Sequence, residues 1–286
     1  MHIIVKMNRN GCYVNLYKYY VNQQSAMLRN RPNINGEVTD ELLYGMQVSI
    51  ENKLFDDWAL VKTSYGYEGY VQNECLIKEK EQCMENNIVR AVYADVLSEP
   101  DIKSSIVFGL PKGSTVSIIG NENNGYTKIA LWNGKQGYVK SSCFCLPLIG
   151  QELGISEIWR EQVVRTALSY LYTPYRWGGK SPLGIDCSGL CFMSYYLNHV
   201  VIWRDSKIKE GYPIAQLGKS EPLKPADLIY FPGHIAMYIG NGNYIHATNR
   251  AGSDGVVINS LNSSDQRYRE DLAEDISCLG RYAPIH

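Results

Sequence analysis

The sequence predicts two small all-β modules followed by an α+β domain, and three observations carry that expectation. A pattern recurs 68 residues on, the apolar period changes after about residue 148, and a glycine-rich loop then runs into an apolar helix at Cys187. The repeat shows in the pairs Pro32 and Pro100, Gly45 and Gly113, Val48 and Val116, Trp58 and Tyr126, and Gly69 and Gly137. Each copy has an alternating run, a turn, an aromatic before a second alternating run, a Gly-containing turn and then Gly-Tyr-Val, which predicts short antiparallel strands in a small barrel. A module of this size buries only about 60% of its unfolded surface, so each is expected to dock on a neighbour.

The two copies resemble bacterial SH3 domains, which close on such a Gly-Tyr-Val strand. The expected division is a first module over residues 1–82, a second over 83–148 and the α+β domain over 149–286.

Composition narrows the partners. With 28 basic and 29 acidic residues and no basic cluster, the chain offers no electrostatic footprint for nucleic acid or an anionic membrane. The N-terminal apolar run, Ile3 to Val5, is too short for a signal core or a span, so a cytoplasmic location is expected. Cysteines 12, 75, 83, 143, 145, 187, 191 and 278 form no CxxC and no Cys/His set at zinc spacing. Free thiols, no metal and no cofactor are the expectation, with Cys143-x-Cys145 read as ordinary strand-end residues.

In "SEIWREQVVRTALSYLYTP", Trp159, Val163, Val164, Ala167, Leu168 and Leu171 fall at helical spacing, with Ser156 as N-cap and Pro174 as the stop. In "CSGLCFMSYYLNHV", Cys187, Leu190, Cys191, Ser194 and Leu197 share one face. Cys187 thus occupies a first helical turn, where backbone amides and the helix dipole favour a thiolate. Cys191, one turn on, reads as core.

A thiolate nucleophile needs a base. His2 and His286 lie at the termini, and His199 closes the helix, where a cation suits the dipole. His234 and His246 instead bracket "GHIAMYIGNGNYIHA", two alternating runs joined across Gly-Asn-Gly, which predicts a hairpin. Both histidines share a face only if cross-strand partners sum to an even number. A three-residue loop, Gly240 to Gly242, meets that condition and sets Ala236 opposite His246; a two-residue Asn241-Gly242 turn puts the histidines on opposite faces.

From about residue 150 the chain resembles the NlpC/P60 cysteine peptidases, whose fold is papain-like. Asp186-Cys187-Ser188-Gly189-Leu190, the Tyr175 to Gly179 loop, Gly233 to Tyr238 and His246 match the family's motifs. Ala226 departs from the glycine usual before Asp-Leu. The resemblance implies Cys187 as nucleophile, His234 as base and His246 as the residue orienting it. It implies Tyr175 as an oxyanion donor beside the Cys187 amide, and Trp177, Asp186 and Ser188 at the substrate.

Two SH3-like modules ahead of this domain and the "WRDS" segment resemble the γ-D-glutamyl-L-diamino acid endopeptidases of murein recycling. That likeness implies hydrolysis of the γ-D-glutamyl bond to meso-diaminopimelate or Lys in murein tripeptides or tetrapeptides with a free L-Ala amine. Asp205 and Ser206 would hold that amine, with Glu37, or Glu41 in its place, and Tyr67 contributed by the first module. Met46 stands where the subgroup carries an acid. The alternative is an exported peptidoglycan hydrolase that uses its SH3-like modules for wall binding.

Overall fold

A computed structural model describes residues 5–7, 13–15, 18–53, 57–78, 86–144, 156–218 and 220–284. The boundaries expected near 82 and 148 lie outside these residues, as do Cys12, Cys83, Cys145, His2 and His286. The chain divides into two units, Met1–Cys145 and Leu146–His286.

In the first unit the repeat is carried by whole strands. Ser25–Arg29, Val38–Leu43, Gln47–Lys53, Trp58–Thr63 and Glu68–Gln72 begin 68 residues before Tyr93–Leu97, Ile106–Pro111, Thr115–Ile118, Tyr126–Ala130 and Gln136–Lys140 respectively. All their pairings are antiparallel. In the first module Leu28, Leu42, Val48, Val61 and Val71 turn inward, and in the second Val96, Leu110, Val116, Ile129 and Val139 do so.

One residue of the first module joins the core of the second. Tyr44, 1% exposed, packs among Val89, Val96 and Leu110 of the second module, and its hydroxyl accepts a hydrogen bond from the Trp132 amide at 2.7 Å. The Tyr44 carbonyl accepts from the Thr115 amide at 2.8 Å, while Trp132 stacks on Tyr20 at 3.6 Å between centroids. Burial of an aromatic side chain from one module in the other supplies the apolar contact that a barrel this small lacks alone. Met46 is core here, 4% exposed.

The second unit is α+β. Helix α1 (Glu157–Leu168) is capped by Ser156, whose hydroxyl accepts from the Trp159 amide at 3.1 Å. It ends at Leu168, six residues short of Pro174, and a Tyr170–Thr173 turn continues the chain. Helix α2 (Cys187–Tyr196) packs on α1, where Trp159 Nε1 donates to the Asn198 carbonyl at 3.2 Å. Nearly every α2 side chain is buried, Cys191 included, because the helix lies between α1 and a sheet rather than at the surface.

That antiparallel sheet comprises β1 (Ile214–Gln216), β2 (Leu228–Phe231), β3 (His234–Gly240), β4 (Asn243–Arg250), β5 (Ser253–Ser260) and β6 (Cys278–Tyr282), in the order β1-β6-β2-β3-β4-β5. A short helix, α3 (Glu270–Glu274), precedes β6.

The β3-β4 hairpin resolves the parity question by a route the sequence did not offer. Its turn is the two-residue Asn241-Gly242, with φ of 53° and 73°, as a type I′ turn requires. A bulge at Ile239 then shifts the register so that Met237 pairs with Ile245 and Tyr238 with Tyr244. The even sum survives, Ala236 falls opposite His246, and His234 lies diagonal to it on the same face.

Candidate active site

The nucleophile loop is held by one guanidinium. Asp186, the N-cap of α2, accepts from the Gly189 amide at 2.5 Å and the Gly178 amide at 2.9 Å. Its two oxygens also face Arg204, Nη1 at 3.0 Å and Nη2 at 2.9 Å, a bidentate pair in which Arg204 is 1% exposed. Arg204 Nη1 further donates to Ser188 Oγ at 2.7 Å, and Ser188 Oγ donates to Asp186 Oδ1 at 3.0 Å. The first turn of α2 sits hard on the glycine loop: a Cβ on Gly189 would stand 2.2 Å from the Gly179 carbonyl.

The Asp186 and Ser188 side chains, expected at the substrate, are engaged by protein groups and position the loop. Arg204 crosses from the segment after α2 to reach Asp186.

Cys187 opens α2 at 6% exposure. Burial pushes its thiol up to about 12, with the Asp186 charge adding to the rise; hydrogen bonding from the backbone of Ile235 and of Ser188 works the other way. At this helix start, burial therefore works against the backbone hydrogen bonds that favour a thiolate.

Contact with Ile235 sets Cys187 beside His234 at the head of β3. His234 Nε2 lies 2.7 Å from His246 Nδ1, and His246 Nε2 lies 2.8 Å from Asn259 Oδ1. Burial takes His234 down to about 3, with His246 and then Arg269 contributing; His246 falls to about 4, also chiefly by burial. Each ion alone is costly in this pocket, whereas a thiolate and an imidazolium formed together by proton transfer carry no net charge. Tyr175 lies close enough to Cys187 for their charges to interact, and burial raises its hydroxyl first of all.

A pH dependence of stability follows. Both histidines titrate lower in the fold than at their unfolded value near 6.5, so their contribution is complete above pH 6.5 and declines as pH falls toward 4 and 3. At about 1.4 kcal/mol per unit, several kcal/mol are lost over that range. The unfolding midpoint of the second unit should fall between pH 6.5 and 4.5, and fall less steeply in His246→Gln. Equal slopes for wild type and variant would contradict this.

Trp177 is 59% exposed on the glycine loop, and Asp205 and Ser206 are half-buried just beyond Arg204. Glu37 and Tyr67 belong to the first unit. Glu37 is exposed and exchanges hydrogen bonds with Asn30, Tyr67 is half-buried in a turn with its amide on Thr63 Oγ1, and Glu41 is fully buried. His199 sits just past α2 at φ 62°, and burial lowers its pKa, opposite to the cation expected there. Ala226 holds φ 69°, the left-handed conformation that suits glycine, with its carbonyl bound by the Tyr195 hydroxyl at 2.5 Å.

Sequence reasoning missed Asn259. It lies on β5, where Val257 pairs with His246 and Asn259 with Tyr244, so it is the diagonal neighbour of His246 on the same face. The alternation of "VVINS" could have placed it there had β5 been paired. Among the described residues no group of three His, Cys, Asp or Glu could hold a metal ion.

A cysteine at the start of a buried helix, with two linked imidazoles on the antiparallel sheet packed against that helix, defines a papain-like cysteine peptidase. Residues 172–271 match the NlpC/P60 family, and residues 25–77 and 92–144 each match the bacterial SH3 domain. The chain is 42% identical over 270 residues to dipeptidyl-peptidase 6 of Lysinibacillus sphaericus, covering 89% of this chain and 97% of that one. It belongs to the NlpC/P60 family and is a cysteine peptidase carrying two bacterial SH3 domains. It is also 28% identical over 233 residues to the gamma-D-glutamyl-L-lysine dipeptidyl-peptidase of Bacillus subtilis (strain 168), covering 76% and 71% of the two chains. A crystal structure of an NlpC/P60 family protein from Bacillus cereus ATCC 10987 shares the fold, with a TM-score of 0.78 at 21% identity over 93% of this chain and all of that one.

Proposed function

We propose that this protein hydrolyses the γ-D-glutamyl bond to the diamino acid of murein peptides whose L-Ala amine is free. The observation that carries this reading is the likeness to dipeptidyl-peptidase 6 over 97% of that protein's length, both SH3 modules included. Release of a dipeptide from an amino terminus demands recognition of that terminus, and the Asp205 carboxylate beside the anchored Arg204 suits an ammonium.

In the proposed reaction Cys187 loses its proton to His234 and attacks the γ-carbonyl carbon. The tetrahedral oxyanion is met by the Cys187 backbone amide and the Tyr175 hydroxyl. Collapse breaks the carbon–nitrogen bond, and the proton on His234 goes to the departing amine of the diamino acid. Water, deprotonated by His234, then cleaves the thioester and restores the thiol.

A free L-Ala amine exists only on peptides already released from the glycan, so we place the reaction after wall turnover, in the cytoplasm. The test compares L-Ala-γ-D-Glu-L-Lys, its meso-diaminopimelate counterpart and their N-acetylated forms. Cleavage of the free amines alone supports the proposal, and Asp205→Ala should then narrow the preference at least tenfold. Equal cleavage of both forms, or activity only on intact wall, would transfer the protein to the wall hydrolases and its SH3 modules to wall binding.

A further inference from the structure

The imidazole chain does not end at His246. Asn259 Oδ1 stands 2.8 Å from His246 Nε2, and Asn259 Nδ2 donates to the Arg267 carbonyl at 2.7 Å. A backbone carbonyl only accepts, so the amide nitrogen of Asn259 must face Arg267 and its oxygen must face His246. That oxygen also only accepts. His246 Nε2 therefore carries a proton, and neutral His246 offers a bare Nδ1 to His234. His234 Nε2, 2.7 Å away, must then be the donor, and in neutral His234 the lone pair is left on Nδ1.

The Arg267 carbonyl is itself fixed, because it also accepts from the Ser260 amide at 3.1 Å, and Tyr268 bridges to Ser260 beside β5. Asn259 is 9% exposed and His246 fully buried, so little water competes for these contacts. We propose that Asn259, oriented by the Arg267 carbonyl, is the positioning residue that sets the proton on Nε2 of both histidines and keeps His234 Nδ1 free to take the proton of Cys187. Without the Asn259 acceptor, His246 can carry its proton on Nδ1. It would then donate to His234 Nε2, drive the His234 proton onto Nδ1 and remove the base.

The assignment of a base to His234 rests on the proposed peptidase reaction, but the tautomers can be read without substrate. Long-range nitrogen-15 spectra of the wild type at pH 7 should show both histidines protonated on Nε2 and bare on Nδ1. A proton on His234 Nδ1 with Nε2 bare would overturn the proposal whatever the enzyme cleaves, whereas failure to cleave any murein peptide would count against the proposed function alone.

Two substitutions separate tautomer control from packing. Asn259→Leu fills the space but offers no acceptor, and should lower kcat at least tenfold with KM within about twofold. It should also slow alkylation of Cys187 by iodoacetamide to a similar degree. Asn259→Asp retains an acceptor oxygen toward His246 whether ionised or protonated, and should keep kcat within about tenfold of wild type while costing stability. A residue needed only for packing gives the reverse order, with leucine tolerated and aspartate harmful, and that order would refute the proposal. Should Asn259→Leu not fold, the wild-type spectra together with Asn259→Asp decide the matter.

Discussion

Cys187→Ala should abolish hydrolysis of L-Ala-γ-D-Glu-L-Lys while leaving the fold intact. The Cys187 side chain is small and buried at the first turn of α2, and alanine fills most of its volume without disturbing the Asp186 cap or the Arg204 pair. The loss should be on the order of 10⁴-fold or more in kcat, and His234→Ala should match it because nucleophile and base act as a unit. The two variants differ in chemistry. In His234→Ala the thiol remains, raised by burial, but has lost its proton acceptor. Alkylation of Cys187 by iodoacetamide should therefore slow at least ~100-fold. Residual turnover in Cys187→Ala would remove Cys187 from the nucleophile role, and unchanged alkylation in His234→Ala would remove His234 from the base role.

Asp227→Ala should give the largest loss of stability, about 3–5 kcal/mol, because it leaves buried charge uncompensated. The Asp227 carboxylate is fully buried and accepts from Arg160 Nη1 at 3.0 Å, Arg281 Nη2 at 2.6 Å and the Lys224 amide at 2.7 Å. Arg160 belongs to α1 and Arg281 to β6, so one carboxylate ties the helix layer to the centre of the sheet just before β2 leads into His234. Urea unfolding of the second unit, with the transition assigned by hydrogen exchange, measures the loss. A change below 1 kcal/mol would mean that the two arginines find solvent once the carboxylate is gone. Asp227→Asn, which keeps an acceptor, should cost less than Asp227→Ala.

Features that depend on neighbours along the chain were legible before any coordinates. The 68-residue repeat fixes where each barrel strand begins, since alternation and turn residues act over a few positions. Ser156 and Asp186 mark helix starts because a cap bonds an amide three residues on, and Cys187 is in a first turn for the same reason. The common face of His234 and His246 was also foreseeable, although the bulge at Ile239 that secures it was not, because a two-residue turn and a bulge leave the same sequence pattern as a longer loop.

By itself, then, the sequence determined two repeated barrels, a helix that begins at the nucleophile and a hairpin bearing two histidines. The tertiary structure decided what each polar group meets. It buried Tyr44 of one barrel in the other, paired Arg204 with Asp186, enclosed Cys187 so that burial raises its thiol, and brought Asn259 onto His246. Those outcomes depend on contacts between residues 13 to 88 positions apart in the chain, and a local pattern has no means to encode which donor reaches which acceptor across that distance.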